Sequence, residues 1–287
     1  MVMGMFLFSA VDAHAKYLTD SLQPFQIVWI RQLGLLSGAF ILLAINGRRL
    51  LKTSNPTLQV ARGTVAAGSA SLFIIGVSFV PLADAVAISF VAPFIVTILG
   101  AVLLREPVGI RRWSAVTIGF LGALIVIRPG LGVVHPAALL IIIAATFFAF
   151  RQIISRKLAA TDQTATTIVY TALVGSAILT IPLPFVWKWP TSAGQIALLV
   201  SMAVLAGFAE VFVIKALEVA QAVVVAPVQY SLIIWGTIYG YLIFDQLPDG
   251  WTWIGTSIIV ATGLYTLHRE RLANPSKLNP EMPRRDV

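Results

Sequence analysis

ADAVAISFVAPFIVTILGAVL, residues 83–103, is the stretch on which the fold turns. After Asp84 it holds no ionisable side chain, and a bilayer core is crossed by about 20 apolar residues in a helix. Residues 220–244, AQAVVVAPVQYSLIIWGTIYGYLIF, open on the same Ala-x-Ala-Val and carry their own proline. Outward from these two, breaks at Gly, Pro and charge clusters divide the chain into ten such segments. The expected helices are Val2–Leu18, Phe25–Ile45, Ala61–Val80, Ala83–Leu103, Trp113–Ile127, Pro136–Arg151, Thr164–Phe185, Ile196–Ala216, Ala222–Phe244 and Trp251–Leu267. Residues 268–287, with three prolines and mixed charge, are expected as a disordered cytoplasmic tail.

Composition agrees. Hydrophobic residues are 58% of the 287 and charged residues 11%, against about 25% charged in soluble domains. No linker or charge-rich region interrupts the pattern, so a soluble domain on a membrane anchor is excluded. The class is an all-α polytopic membrane protein. Its net charge of +8 lies in short connections and the tail, which favours contact with membrane lipids over nucleic acid. Met1–Ala15 ends in Ala13-His14-Ala15, which imitates a signal cleavage site, but the first basic residue is Lys16. The stretch therefore reads as the first helix.

Charge also orients the helices. Of the 20 Lys and Arg, 16 fall on the side of both termini, Arg62, Arg151 and Lys215 among them. Lys16, Arg128 and Lys188 fall on the other, and Arg31 alone is left within a span. Positive charge stays inside, so both termini are expected in the cytoplasm and the chain in the inner (plasma) membrane.

The halves echo each other. Phe6…Lys16…Asp20 matches Phe147…Lys157…Asp162, and Glu106-Pro107…Trp113…Gly119 matches Gln246-Leu247-Pro248…Trp253…Gly255. This gives repeats spanning 1–130 and 131–267. Five helices is an odd number, so the second copy enters from the opposite face. An inverted pair of this kind underlies many alternating-access carriers.

The run Ala226-Pro227…Tyr230…Trp235…Gly240…Phe244-Asp245-Gln246-Leu247-Pro248…Gly255 resembles the drug/metabolite transporter superfamily, EamA branch. So does Glu106-Pro107-Val108-Gly109…Arg112-Trp113…Gly119-Phe120…Arg128-Pro129-Gly130. The family often has Gly-Glu after the ninth helix where this chain has Asp245-Gln246, so no role passes to that glutamate. The resemblance is nearest to bacterial amino-acid exporters, including those for aromatic amino acids. It implies a secondary transporter; no cofactor is expected, and a monomer suffices whatever the oligomeric state.

Ionisable groups inside a span are costly and are functional candidates by default. Asp12 and Arg31 lie at similar distances from the first hairpin turn, which predicts an ion pair, either a structural clasp or a gate or substrate-carboxylate site. His14 titrates near neutrality, as a proton carrier or a cavity histidine. Glu210 reads as a coupling acid or as the partner of a neighbouring cation. Asp84 and Glu106 read as interfacial or capping groups. Pro93 and Pro227 break central helices, by a simple kink or beside a binding region. Around them gather Phe90, Phe94, Gln229, Tyr230, Trp235 and Tyr239. With Ser69 and Ser78 these are the candidate lining of a polar-aromatic cavity suited to a small zwitterion. Gly34-x-x-x-Gly38 and Gly236-x-x-x-Gly240 have close-packing spacing.

Enzyme signatures are missing: there is no H-E-x-x-H, G-x-S-x-G or P-loop lysine. Three histidines without cysteine make no metal cluster. The expected function is export of small metabolites, neutral and aromatic amino acids first. Carriers of sugar nucleotides or cofactors and cationic-drug efflux stand as alternatives. A membrane-embedded lipid-modifying enzyme is remote.

Overall fold

The computed structural model describes residues 1–105, 108–128, 135–219 and 226–273. Its helices are α1 Val2–Leu18, α2 Pro24–Asn46, α3 Pro56–Val77, α4 in two parts, Leu82–Ser89 and Ala92–Leu103, and α5 Ile110–Ile127. The second half has α6 Ala138–Leu158, α7 Thr164–Thr180, α8 Ala193–Val219, α9 Ser231–Phe244 and α10 Gly250–Ala273. Among the described residues, five segments are long and apolar enough to cross a membrane, and three shorter ones are apolar. Large apolar side chains face outward along them, Ile110, Phe185 and Leu242 among the most exposed. That is the surface a lipid solvent accepts.

Local chemistry sets the ends. Pro24 and Pro56 open α2 and α3 at the first helical position, where a missing N–H costs nothing. Gly47 closes α2 with φ +72°, a conformation that spares a Cβ clash only in glycine. Pro93 has no N–H to return to the Ser89 carbonyl, and α4 is interrupted at Phe90–Val91 just before it. Pro227 lies in a 3-10 turn, Ala226–Tyr230, that leads into α9.

Four boundaries depart most from expectation. The third helix begins at Pro56, five residues before Ala61, which takes Arg62 into its second turn. The sixth helix does not stop at Arg151. Ile153 and Leu158 continue its buried stripe, so α6 runs two further turns and takes Arg151 inside. The seventh ends at Thr180, because Pro182 and Pro184 confine the next residues to a short turn, Leu183–Val186. The tenth extends through His268 to Ala273. The rest of the tail, Glu106, Pro107, Gln221 and the 130/131 boundary lie outside the described residues.

The principal pairings are α3–α6 with α1–α8, α2–α8 with α3–α7, α4–α6 with α1–α9, and α5–α10, α2–α7 and α4–α9. Exchanging every helix for the one five places away maps this set onto itself. The halves are thus related by an approximate two-fold, and an odd number of crossings makes them antiparallel. The main apolar cluster sits where the halves meet: α4 supplies Leu82, Ile88, Phe90 and Phe94, and Ile141, Ile233 and Ile259 pack against it.

Close packing is glycine-dependent but not as the motifs predict. A Cβ on Gly34 would sit 2.0 Å from the Ala203 carbonyl of α8, with Gly207 beside it. Gly38 faces open space. Gly236 abuts Val86, and Gly255 lies against the Gly122 carbonyl, joining α10 to α5.

Candidate functional site

Where α1 and α9 meet, Phe6 contacts Trp235 edge-on at 5.1 Å and Tyr239 at 5.7 Å. Phe90, beside the α4 break, stacks on Tyr230 at 4.8 Å. The Trp235 Nε1 and Ser9 Oγ are buried without a hydrogen-bond partner among the described residues. Buried polar atoms normally have partners, so this seam has spare polar capacity beside its rings.

Trp235 and Tyr239 therefore come together with Phe6 of α1, and Phe90 meets Tyr230 in a separate stack. Phe94 belongs to the same apolar cluster, but its ring fills the space over Gly119 of α5. Ser78 turns back on its own helix, donating to the Ile75 carbonyl at 2.7 Å. Ser69 ties α3 to α6 through the Ala144 carbonyl at 2.8 Å. Gln229 is exposed on the 3-10 turn, away from the stacked rings.

Asp12 and Arg31 pair at 3.2 Å. The contact is ionic without hydrogen-bond alignment, and Asp12 Oδ1 has no donor. His14 donates from Nδ1 to the Ala10 carbonyl of its own helix at 2.7 Å. Lys16, expected as an external charge, is buried instead. Its Nζ donates to the Val77 and Val80 carbonyls at 2.9 and 2.6 Å, with the Phe244 ring 5.4 Å away. It caps the end of α3, where free carbonyls and the helix dipole favour a cation.

The largest correction concerns arginine. Arg31 is not alone within a span. Arg62, in the second turn of α3, donates from Nε to the Ser155 hydroxyl at 2.7 Å and from Nη1 to the Thr171 hydroxyl. Ser155 in turn donates to the Arg151 carbonyl at 2.7 Å. The Arg151 guanidinium lies 4.6 Å over the Phe148 ring, with its Nε buried and without a hydrogen-bond partner. Glu210 of α8 is the acid whose charge acts on both arginines. The sequence signal was present, since Phe148, Arg151 and Ser155 share one face of a helix at i, i+3 and i+7.

Both ends of the bundle are fastened across the halves. On the side of the termini, Asp162 accepts from the Thr53 hydroxyl, from the Ser54 N–H at 3.1 Å and from the Gln59 amide at 2.7 Å. Partial burial works against this carboxylate, but those donors outweigh it and hold Asp162 below the usual carboxylate range. A cleft of about 310 Å³ opens there, lined by Arg49, Lys52, Ser54, Asp162 and Gln163. On the other side Gln26 and Lys188 exchange bonds of 2.8 and 3.0 Å, and Gln195 donates to Ser21 at 3.1 Å. Arg128 pairs with Asp249 at 2.7 Å. The Thr252 N–H, then Arg128, holds the Asp249 carboxyl low. The two sets of five helices are thus fastened to each other at both ends of the bundle.

The chain belongs to the EamA-like transporter family, whose model matches it twice, at residues 1–128 and 135–267. It is similar to an S-adenosylmethionine uptake transporter of Rickettsia prowazekii, 28% identical over 93% of this chain and 90% of that protein. It is 33% identical to a riboflavin transporter of Vibrio cholerae over 63% of this chain and 61% of that one. A pseudopaline exporter of Pseudomonas aeruginosa is 26% identical over 90% of this chain and 91% of that protein. A crystal structure of TM-score 0.62 and 14% identity, covering 94% of this chain and 98% of its own, shares the fold. The protein is a multi-pass membrane transporter of small metabolites.

Proposed function

We propose that this chain is a secondary carrier for a small metabolite joining an amino-acid group to an apolar or aromatic body. It works in the inner membrane with both termini cytoplasmic, by rocking of one half against the other. Neutral amino acids with aromatic or large aliphatic side chains, moved outward, are the simplest members of that class. One observation carries the reading: two aromatic contacts where the halves meet, Phe6 with Trp235 and Tyr239, and Phe90 with Tyr230, with unpartnered Trp235 Nε1 and Ser9 Oγ at the first of them. Rings supply apolar contact, and the free polar atoms fix orientation. S-adenosylmethionine, for which several relatives are named, contains both an amino-acid group and an aromatic base. Riboflavin, for which another is named, is a flat aromatic. The relatives' names include both uptake and export, so direction is a separate measurement.

Purified protein in liposomes tests the reading. Phenylalanine, tryptophan, S-adenosylmethionine, riboflavin, a sugar nucleotide and an organic cation are each offered in labelled form. The expected result is amino-acid-bearing flux above the empty-vesicle rate, reduced at least about tenfold by Trp235→Ala with folded yield retained. Flux of the sugar nucleotide or the organic cation alone overturns it.

A further inference from the structure

Resting on that reading, we infer that Arg62 and Arg151 form the seat for one carboxylate of the transported molecule, with Glu210 as the internal counter-charge. Among the described residues whose charges act on one another at this place, the two guanidiniums carry one positive charge more than Glu210 offsets. An uncompensated charge in an apolar span is strongly disfavoured, so the group that completes the site is an anion bearing one negative charge. The donors are held in place. Arg62 is anchored by Ser155 and Thr171, and the same Ser155 hydroxyl bonds the Arg151 backbone, so the two arginines share one frame. The Arg151 guanidinium carbon lies over the Phe148 ring, and its Nε is unpartnered among the described residues. A planar fork of this kind matches a carboxylate with two parallel hydrogen bonds.

Position adds the second half. Arg62 stands on α3, in the first half of the chain, and Arg151, Ser155, Thr171 and Glu210 stand on α6, α7 and α8 in the second. A ligand held by both arginines therefore bridges the two moving parts. Phe148 also packs against the apolar cluster that contains Phe90, with Tyr230 and Tyr239 packed on the same cluster. The charge balance selects a monoanionic carboxylate over a dianionic phosphate.

Phenylalanine and its carboxamide, which differ only in the carboxylate, test this together with phenyl phosphate. Two readouts are taken on the full chain: flux in liposomes, and shift of the melting temperature of the purified protein. Wild type should favour phenylalanine over phenylalaninamide at least about tenfold in both. Arg151→Gln and Arg62→Gln should erase that preference, lowering flux and stabilisation of the acid at least about fivefold more than those of the amide. Arg151→Lys keeps the charge without the fork and should fall between, which also serves if the glutamine variants fail to fold. Equal loss of acid and amide in every variant overturns the seat and leaves the arginines structural. Stronger stabilisation by phenyl phosphate overturns the monoanion assignment. Stabilisation by phenylalanine that Arg151→Gln abolishes, without any flux, supports the seat while sinking the amino-acid transport reading.

Discussion

Asp12 and Arg31 illustrate how one ion pair behaves inside a bilayer. Each partner alone is a desolvated charge, so Asp12→Ala or Arg31→Ala should cost roughly 3–5 kcal/mol in the stability of the folded carrier. The double variant removes both charges and should lose less than the sum, with a coupling of about 0.5–3 kcal/mol in a double-mutant cycle on purified protein. Additive losses would show that the 3.2 Å contact carries no energy. Asp162 behaves differently because water reaches it. Its carboxyl titrates below the unfolded value of about 4, so its contribution is complete above that value. It is lost as pH falls through the lower folded one. Melting temperatures of wild type and Asp162→Asn should differ at neutral pH and converge as the buffer is acidified. A constant gap across that range would rule out the charge as the cause.

Helices α2 and α8 meet through backbone rather than side chains. The Gly34 Cα faces the Ala203 carbonyl so closely that Gly34→Ala would place a methyl 2.0 Å from it. Backbones cannot yield as a flexible side chain does, and overpacking of this kind costs about 1–3 kcal/mol. Gly38, one turn further, meets nothing within 4 Å. Gly34→Ala should lower the melting temperature and folded yield, whereas Gly38→Ala should leave both unchanged. Equal effects would place the close contact elsewhere. The glycine spacing marked the right helix but half the right residues, because its partner, Gly207, lies on a helix far away in sequence.

The whole molecule is two antiparallel halves fastened at both ends. On the side of the termini the fastening is charged, through Asp162, and the related one on the other side is neutral, through Gln26, Ser21 and Gln195. Orientation in the membrane is set by the basic connections, and a chain without cysteine reports it directly. Lys52→Cys should resist an impermeant thiol reagent added to whole cells and react in opened ones, while Pro190→Cys should react in both. The opposite pattern would invert the topology.

Helix number and the existence of two related halves were legible in the chain because both are one-dimensional. A bilayer of fixed thickness imposes a length on every apolar run, and an odd repeat imposes antiparallel halves. The Asp12–Arg31 pair was legible for the same reason, since equal distance from a tight turn gives equal depth. Arg62 and Arg151 were misplaced because charge at the edge of an apolar run looks like a connection. Only packing shows that Ile153 and Leu158 carry α6 onward and bring Arg151 within the electrostatic reach of Glu210. Lys16 was misread likewise: its partners are the carbonyls at the end of α3, some sixty residues away. Depth is a property of position along the chain, whereas the counter-charge of a buried cation is a property of which helices touch, and that is decided by tertiary structure.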